Sequence, residues 1–118
     1  MRGTDEFRKR TKAFAASCIR LCVRLDRSRY ELQVLGKQMI RSGTFVAANY
    51  REACRARSTN DFIAKLNICI QEADETALWL ELLHEECNIE TQAIERECDE
   101  IIAIMVSMSA RASERLKG

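Results

Sequence analysis

Proline is absent from this 118-residue chain and glycine occurs only four times. The many tight turns of a β-sandwich or barrel therefore have no residues to form them, whereas long helices need few turns. No run of about 18 apolar residues exists, which excludes a bilayer-spanning helix. The start, MRGTDEFRKRTK, has no apolar core of a signal peptide, and a cytoplasmic location is the expectation. Histidine occurs once, as His84, and that limits every catalytic scheme. The six cysteines, Cys18, Cys22, Cys54, Cys69, Cys87 and Cys98, never form C-x-x-C. Set inside helical patterns, they read as reduced, buried small hydrophobes.

What is present is 47% hydrophobic and 31% charged residues, in a length that suits one domain over 1–118 with its own core. The net charge of +1 hides a division. Residues 1–57 hold 14 Lys and Arg against 5 Asp and Glu, net +9, and residues 58–118 hold 5 against 13, net −8. Such asymmetry suits a nucleic-acid surface or complementary helices.

Apolar spacing yields four helices, at about 4–25, 30–57, 59–86 and 89–116. The first has the seam Phe7, Thr11, Phe14, Cys18, Leu21 and Leu25. The second carries Gly36, Ile40, Gly43, Ala47, Tyr50 and Cys54 on one line, with Leu32, Leu35, Met39, Val46 and Ala53 beside it. Two glycines seven apart on a buried line cost roughly 1 kcal/mol each relative to Ala, so they signal close approach of a neighbouring helix. Ser58-Thr59-Asn60-Asp61 reads as a capping box opening the third helix, whose seam is Phe62, Leu66, Cys69, Ala73, Thr76, Leu80 and Leu83. The fourth runs through Ile94, Cys98, Ile101, Met105, Met108 and Ala112. Short connections make this an all-α, up-down-up-down antiparallel four-helix bundle. Ile68, Leu78, Trp79 and Leu82, and Ile102, Ile104 and Val106, lie off the seams. This surplus, with Phe45, marks Ile68, Trp79, Leu82, Ile102 and Val106 as oligomer-interface candidates.

Chemistry is sparse. Glu81-x-x-His84 matches the di-iron motif of bundles, which requires the motif on two helices, and it occurs on one. Cys18, Cys22, His84 and Cys87 fall near one end of two helices and offer four zinc-ligand types, but Cys18 is already a seam residue. Neither a nucleophile pair with a base nor a phosphate-cradling glycine loop occurs, so the expectation is a non-enzyme without cofactor or metal. Two polar groupings remain. Lys9, Lys12, Arg20, Arg24 and Arg27, with Arg8, Arg10 and Arg29 nearby, form a basic stripe suited to an RNA or DNA backbone. It lacks aromatic platforms, so contact would be largely sequence-independent. Gln38, Arg41, Phe45, Asn49 and Glu52 form a strip on the second helix. Folding back the third sets Arg41 opposite Glu72 and Glu75, and Asn49 opposite Lys65. These groups serve either as polar glue within or between subunits or as a ligand site.

Residues 38–44, Gln-Met-Ile-Arg-Ser-Gly-Thr, with Asn49, Glu52-Ala53, Ser58, Asp61-Phe62-Ile63-Ala64-Lys65-Leu66, Glu72-Ala73, Glu75-Thr76 and Trp79-Leu80-Glu81-Leu82-Leu83, carry a resemblance. Together with Phe14-Ala15 they cover about 70 residues. The string resembles the four-helix-bundle proteins encoded in intervening sequences of bacterial 23S rRNA genes. It is similar also to the accessory variability proteins of diversity-generating retroelements, basic pentamers that bind nucleic acid and partner a reverse transcriptase. The resemblance implies a cytoplasmic homo-oligomeric ring, pentameric in members of known structure, of unestablished function. Where the family has a small polar residue followed by Ile-Gly, this chain has Phe45-Val46-Ala47. The reading is a non-enzymatic self-associating bundle attached to nucleic acid; the alternatives are a protein-interaction scaffold and, third, a metal-binding bundle.

Overall fold

The computed structural model describes residues 2–118, with side chains from Asp5 onward. Four helices follow one another: α1 Arg2–Arg24, α2 Tyr30–Ala53, α3 Thr59–Cys87 and α4 Gln92–Lys117. Each packs antiparallel on the next and α4 closes back onto α1, giving an elongated bundle of 54 × 20 × 19 Å. The α2–α3 contact is the most extensive and the α1–α4 closure the least. Every α1 seam residue, from Phe7 to Leu25, is buried, including the hydroxyl-bearing Thr11, whose Oγ1 donates to the Arg8 carbonyl at 3.0 Å. Along α3 the seam from Leu66 to Leu83 is fully covered, with Phe62 half-buried at its start. Phe7 meets Tyr50 edge to face, ring centroids 4.9 Å apart.

The two glycines of α2 lie where α1 comes nearest. A Cβ on Gly43 would stand 2.6 Å from Cys18 Sγ and 3.2 Å from Cys18 Cβ; one on Gly36 would stand 2.9 Å from Leu25 Cδ1. Absence of a side chain at these positions is what lets the first hairpin close. Cys22 uses the same gap, its Sγ lying 3.9 Å from the Gly36 carbonyl oxygen. All six cysteines are free, and burial pushes the Cys18 and Cys69 thiols up to about 12. At neutral pH both therefore stay protonated and apolar.

Two helix boundaries differ from the sequence reading. α2 stops at Ala53 instead of Arg57, because Arg55 N–H bonds the Glu52 carbonyl and Ala56 N–H the Ala53 carbonyl, each at 3.0 Å. These tighter i to i+3 bonds end the helix and turn the chain. α4 starts at Gln92 instead of near Ile89. Asn88 closes α3 in the left-handed conformation (φ 60°, ψ 38°), its short polar side chain tolerating that geometry, and Ile89 N–H caps the Leu83 carbonyl. The buried Thr91 then precedes α4, its hydroxyl bonding the Leu80 carbonyl oxygen and the Glu95 carboxylate. At the start of α3, Ser58 Oγ accepts from Asp61 N–H at 3.0 Å, the hydroxyl half of the expected capping box.

Candidate functional site

The basic stripe survives folding in part. Lys9, Lys12, Arg20 and Arg24 are exposed on α1, and Arg27 is exposed in the turn that follows. Among the described residues none of the five is ion-paired. Arg10 is the exception to the expected positive region. Its Nε and Nη2 donate to both Glu97 oxygens at 2.8 Å, and Nη2 donates also to Glu100 Oε1 at 3.0 Å. This fork ties α1 to α4 and neutralises the charge; the hydrogen bonds push the Arg10 pKa up and hold the Glu97 carboxyl below its usual range. Arg8 and Arg29 are likewise compensated, by Asp5 and Glu31 at 3.5 Å each.

Folding adds two cations that the stripe did not include. Arg51 and Arg55 of the α2 end line a shallow groove of about 380 Å³ together with Lys12, Ala47, Ala48 and Glu52. The basic surface is thus shared by α1 and α2. Its only sequence trace was the i,i+4 spacing of Arg51 and Arg55, which stacks both on one side of a helix.

The polar strip folds differently from expectation. Arg41 lies over the Phe45 ring, 5.2 Å from its centroid, and makes no ion pair with Glu72 or Glu75 among the described residues. One turn apart on an exposed helix face, the guanidinium and the ring reach each other locally, so no contact across helices is needed. Asn49 Nδ2 donates to the Phe45 carbonyl oxygen at 2.9 Å instead of meeting Lys65. Lys65 pairs with Glu52 at 3.8 Å. Gln38 is exposed, its carbonyl accepting from Ser42 Oγ at 3.0 Å. Between α2 and α3 the buried polar contact is a pair of hydroxyls: Thr76 Oγ1 to Ser42 Oγ at 2.7 Å. Beside it, Glu72 Oε2 and Trp79 Nε1 are buried atoms with no hydrogen-bond partner. Burial raises the Glu72 pKa, with nearby Glu75 adding to the rise and Arg41 opposing it.

Those two orphan groups share a face of α3 with Ile68, Leu82 and the exposed Glu75. Phe45 is 42% exposed and Ile68 43%, while Trp79 and Leu82 are half-buried. On the other flank of α3, Leu78 is exposed, Val106 of α4 is 50% exposed and Ile102 half-buried. The Cys/His grouping does not converge. Among the described residues no three of His, Cys, Asp or Glu are placed to hold a metal ion. His84 Nδ1 lies 3.1 Å from the Ile89 carbonyl oxygen, and Cys18 packs under Gly43. No helix of the described residues is long and apolar enough to cross a membrane.

A crystal structure of a protein of unknown function from the S23 ribosomal protein family of Bacteroides thetaiotaomicron VPI-5482 is similar to this fold. It superposes with a TM-score of 0.79 at 36% sequence identity, covering 86% of this chain and 96% of that one. No curated protein matches the chain. Its residues 5–107 match the family model of the 23S rRNA-intervening sequence protein, and with the shared four-helix fold this places the chain in that family.

Proposed function

We propose that the protein is a non-enzymatic, cytoplasmic accessory bundle that self-associates into a ring, a pentamer by the family resemblance, and holds an RNA or DNA backbone on the outer face of α1 and the end of α2. The observation that carries this reading is the set of exposed, unpaired cations Lys9, Lys12, Arg20, Arg24 and Arg27, in a bundle that neutralises Arg8, Arg10 and Arg29. Unpaired cations release counterions when they meet phosphates, which makes binding salt-dependent and largely blind to sequence. Repetition around a ring would multiply weak contacts into avidity. The link of the matched family to 23S rRNA supports RNA as the polyanion.

Self-association has its own support on the α2–α3 face. Exposed Phe45 and Ile68 flank Trp79 Nε1 and Glu72 Oε2, which lack partners within the protomer. Buried polar atoms without a partner are uncommon in finished structures, and a second copy can supply one. If this face instead receives a different protein, the molecule is a scaffold without nucleic acid. Fluorescence anisotropy of a labelled RNA separates the readings. The expected result is binding at low salt that weakens steeply as salt rises, with a much shallower salt slope when Lys9, Arg20 and Arg24 are all replaced by Gln. Absent binding, or affinity indifferent to salt, contradicts the nucleic-acid role.

A further inference from the structure

At the end of the bundle where α2 turns into α3, the C-terminal turns of α4 leave a groove of about 550 Å³. None of the α1 stripe residues lines it. Its lining includes Cys54, Phe62 and Met108 together with Arg57, Arg111 and Arg115. Among the described residues none of these arginines is ion-paired, and no acidic side chain lines the groove. The chain thus collects three cations, from the α2–α3 connection and from α4, in one groove with apolar side chains. The acidic half of the sequence places two of its five cations here.

We propose that this groove binds a nucleoside 5′-phosphate, either free or at the end of a nucleic-acid strand. Three features meet that chemistry. Guanidinium forks pair bidentately with phosphate oxygens, and three arginines from two segments line the groove. The Phe62 ring and the Met108 thioether give a base a flat, polarisable surface to lie on. A volume of about 550 Å³ falls within the range of small-molecule sites, roughly 300–1,000 Å³. The first turn of α3 opens into the same groove through Thr59, and because Ser58 caps only the Asp61 amide, the preceding amides remain as further donors. Arg111 and Arg115 lie beyond residues 5–107, the span matched by the family.

Calorimetric titration of the full-length protein at low salt tests the assignment, with adenosine 5′-monophosphate, adenosine, inorganic phosphate, and a short oligoadenylate with and without a 5′-phosphate as probes. The expected result is that the monophosphate binds at least about tenfold more tightly than adenosine or inorganic phosphate. The double variant Arg111→Gln and Arg115→Gln, exposed positions whose change leaves the helix intact, loses that binding, whereas the triple Gln variant of the α1 stripe keeps it. Preference of the groove for the 5′-phosphorylated oligomer over the monophosphate supports a strand end, and preference for the monophosphate supports a free nucleotide. No binding of the monophosphate, equal affinity for inorganic phosphate, or unchanged binding in the Arg111/Arg115 variant overturns the proposal.

Discussion

Among the described glycines, Gly43 leaves the least room for a side chain. A methyl group there would meet both Cys18 Sγ and Cys18 Cβ, whereas at Gly36 it meets chiefly Leu25 Cδ1, the far end of a flexible side chain. Replacing Gly by Ala inside a helix gains up to about 1 kcal/mol in propensity, but overpacking a closed core costs about 1–3 kcal/mol. Thermal melts are therefore expected to show Gly43→Ala less stable than the parent and Gly36→Ala close to it; equal, raised melting temperatures would contradict the close approach. Arg10 shows a second residue-level effect. Because its guanidinium holds the Glu97 carboxyl below the usual range, the pair stabilises the fold above ordinary carboxylate pKa values and loses that contribution as pH falls through the lowered one. Glu97→Gln is expected to destabilise at about pH 7 by roughly 0.2–1 kcal/mol, as for partly exposed pairs, and to match the parent in acid. A deficit that persists unchanged at about pH 2 would assign the loss to packing.

At the scale of elements, α2 and α3 are held in register by the Ser42–Thr76 hydroxyl pair, in which each side chain also bonds a backbone carbonyl of its own helix. Removing either hydroxyl loses the bond between them, about 0.5–1.5 kcal/mol, while the one that remains keeps its carbonyl partner, and removing both loses that bond only once. A double-mutant cycle with Ser42→Ala and Thr76→Val, read by denaturant unfolding, is expected to find the double variant less destabilised than the sum of the singles; additivity would show that the hydroxyls do not interact. Thr76 was visible as a polar member of the α3 seam, whereas neither the burial of Ser42 nor the pairing of the two was. Periodicity reports which face of one helix is buried, so four helices and their seams were legible from Phe7 to Ala112. It carries no information on which side chain meets which across a gap. Arg10 illustrates this: its neighbours in sequence are cations, and its partners Glu97 and Glu100 arrive from the far end of the chain. Arg41 is the opposite case, since its guanidinium lies over Phe45 one turn away while its charge reaches Glu72 across the helices without an ion pair. The ends of α2 and the start of α4 depended on short backbone bonds and on Asn88 in a left-handed turn, which no apolar spacing records.

For the whole molecule, the division of charge seen along the sequence becomes a division of space. Glu97 and Glu100 of the acidic half engage Arg10 of the basic half and close the bundle, while the cations left over lie on the outside of α1 and at the end of α2. The proposed self-association and the proposed polyanion binding therefore call on different surfaces. Ile68→Glu, at an exposed position of α3, is expected to weaken assembly without unfolding the protomer, as checked by sedimentation and circular dichroism. Retained assembly would move the interface to the Leu78 and Val106 flank. The direct test of the central claim is the mass measured by light scattering coupled to size exclusion at low salt in the presence of RNA. The expected result is a multiple of the 13.5 kDa protomer co-eluting with RNA, the RNA leaving at high salt while the assembly remains. A 13.5 kDa species eluting apart from RNA at low salt would contradict it.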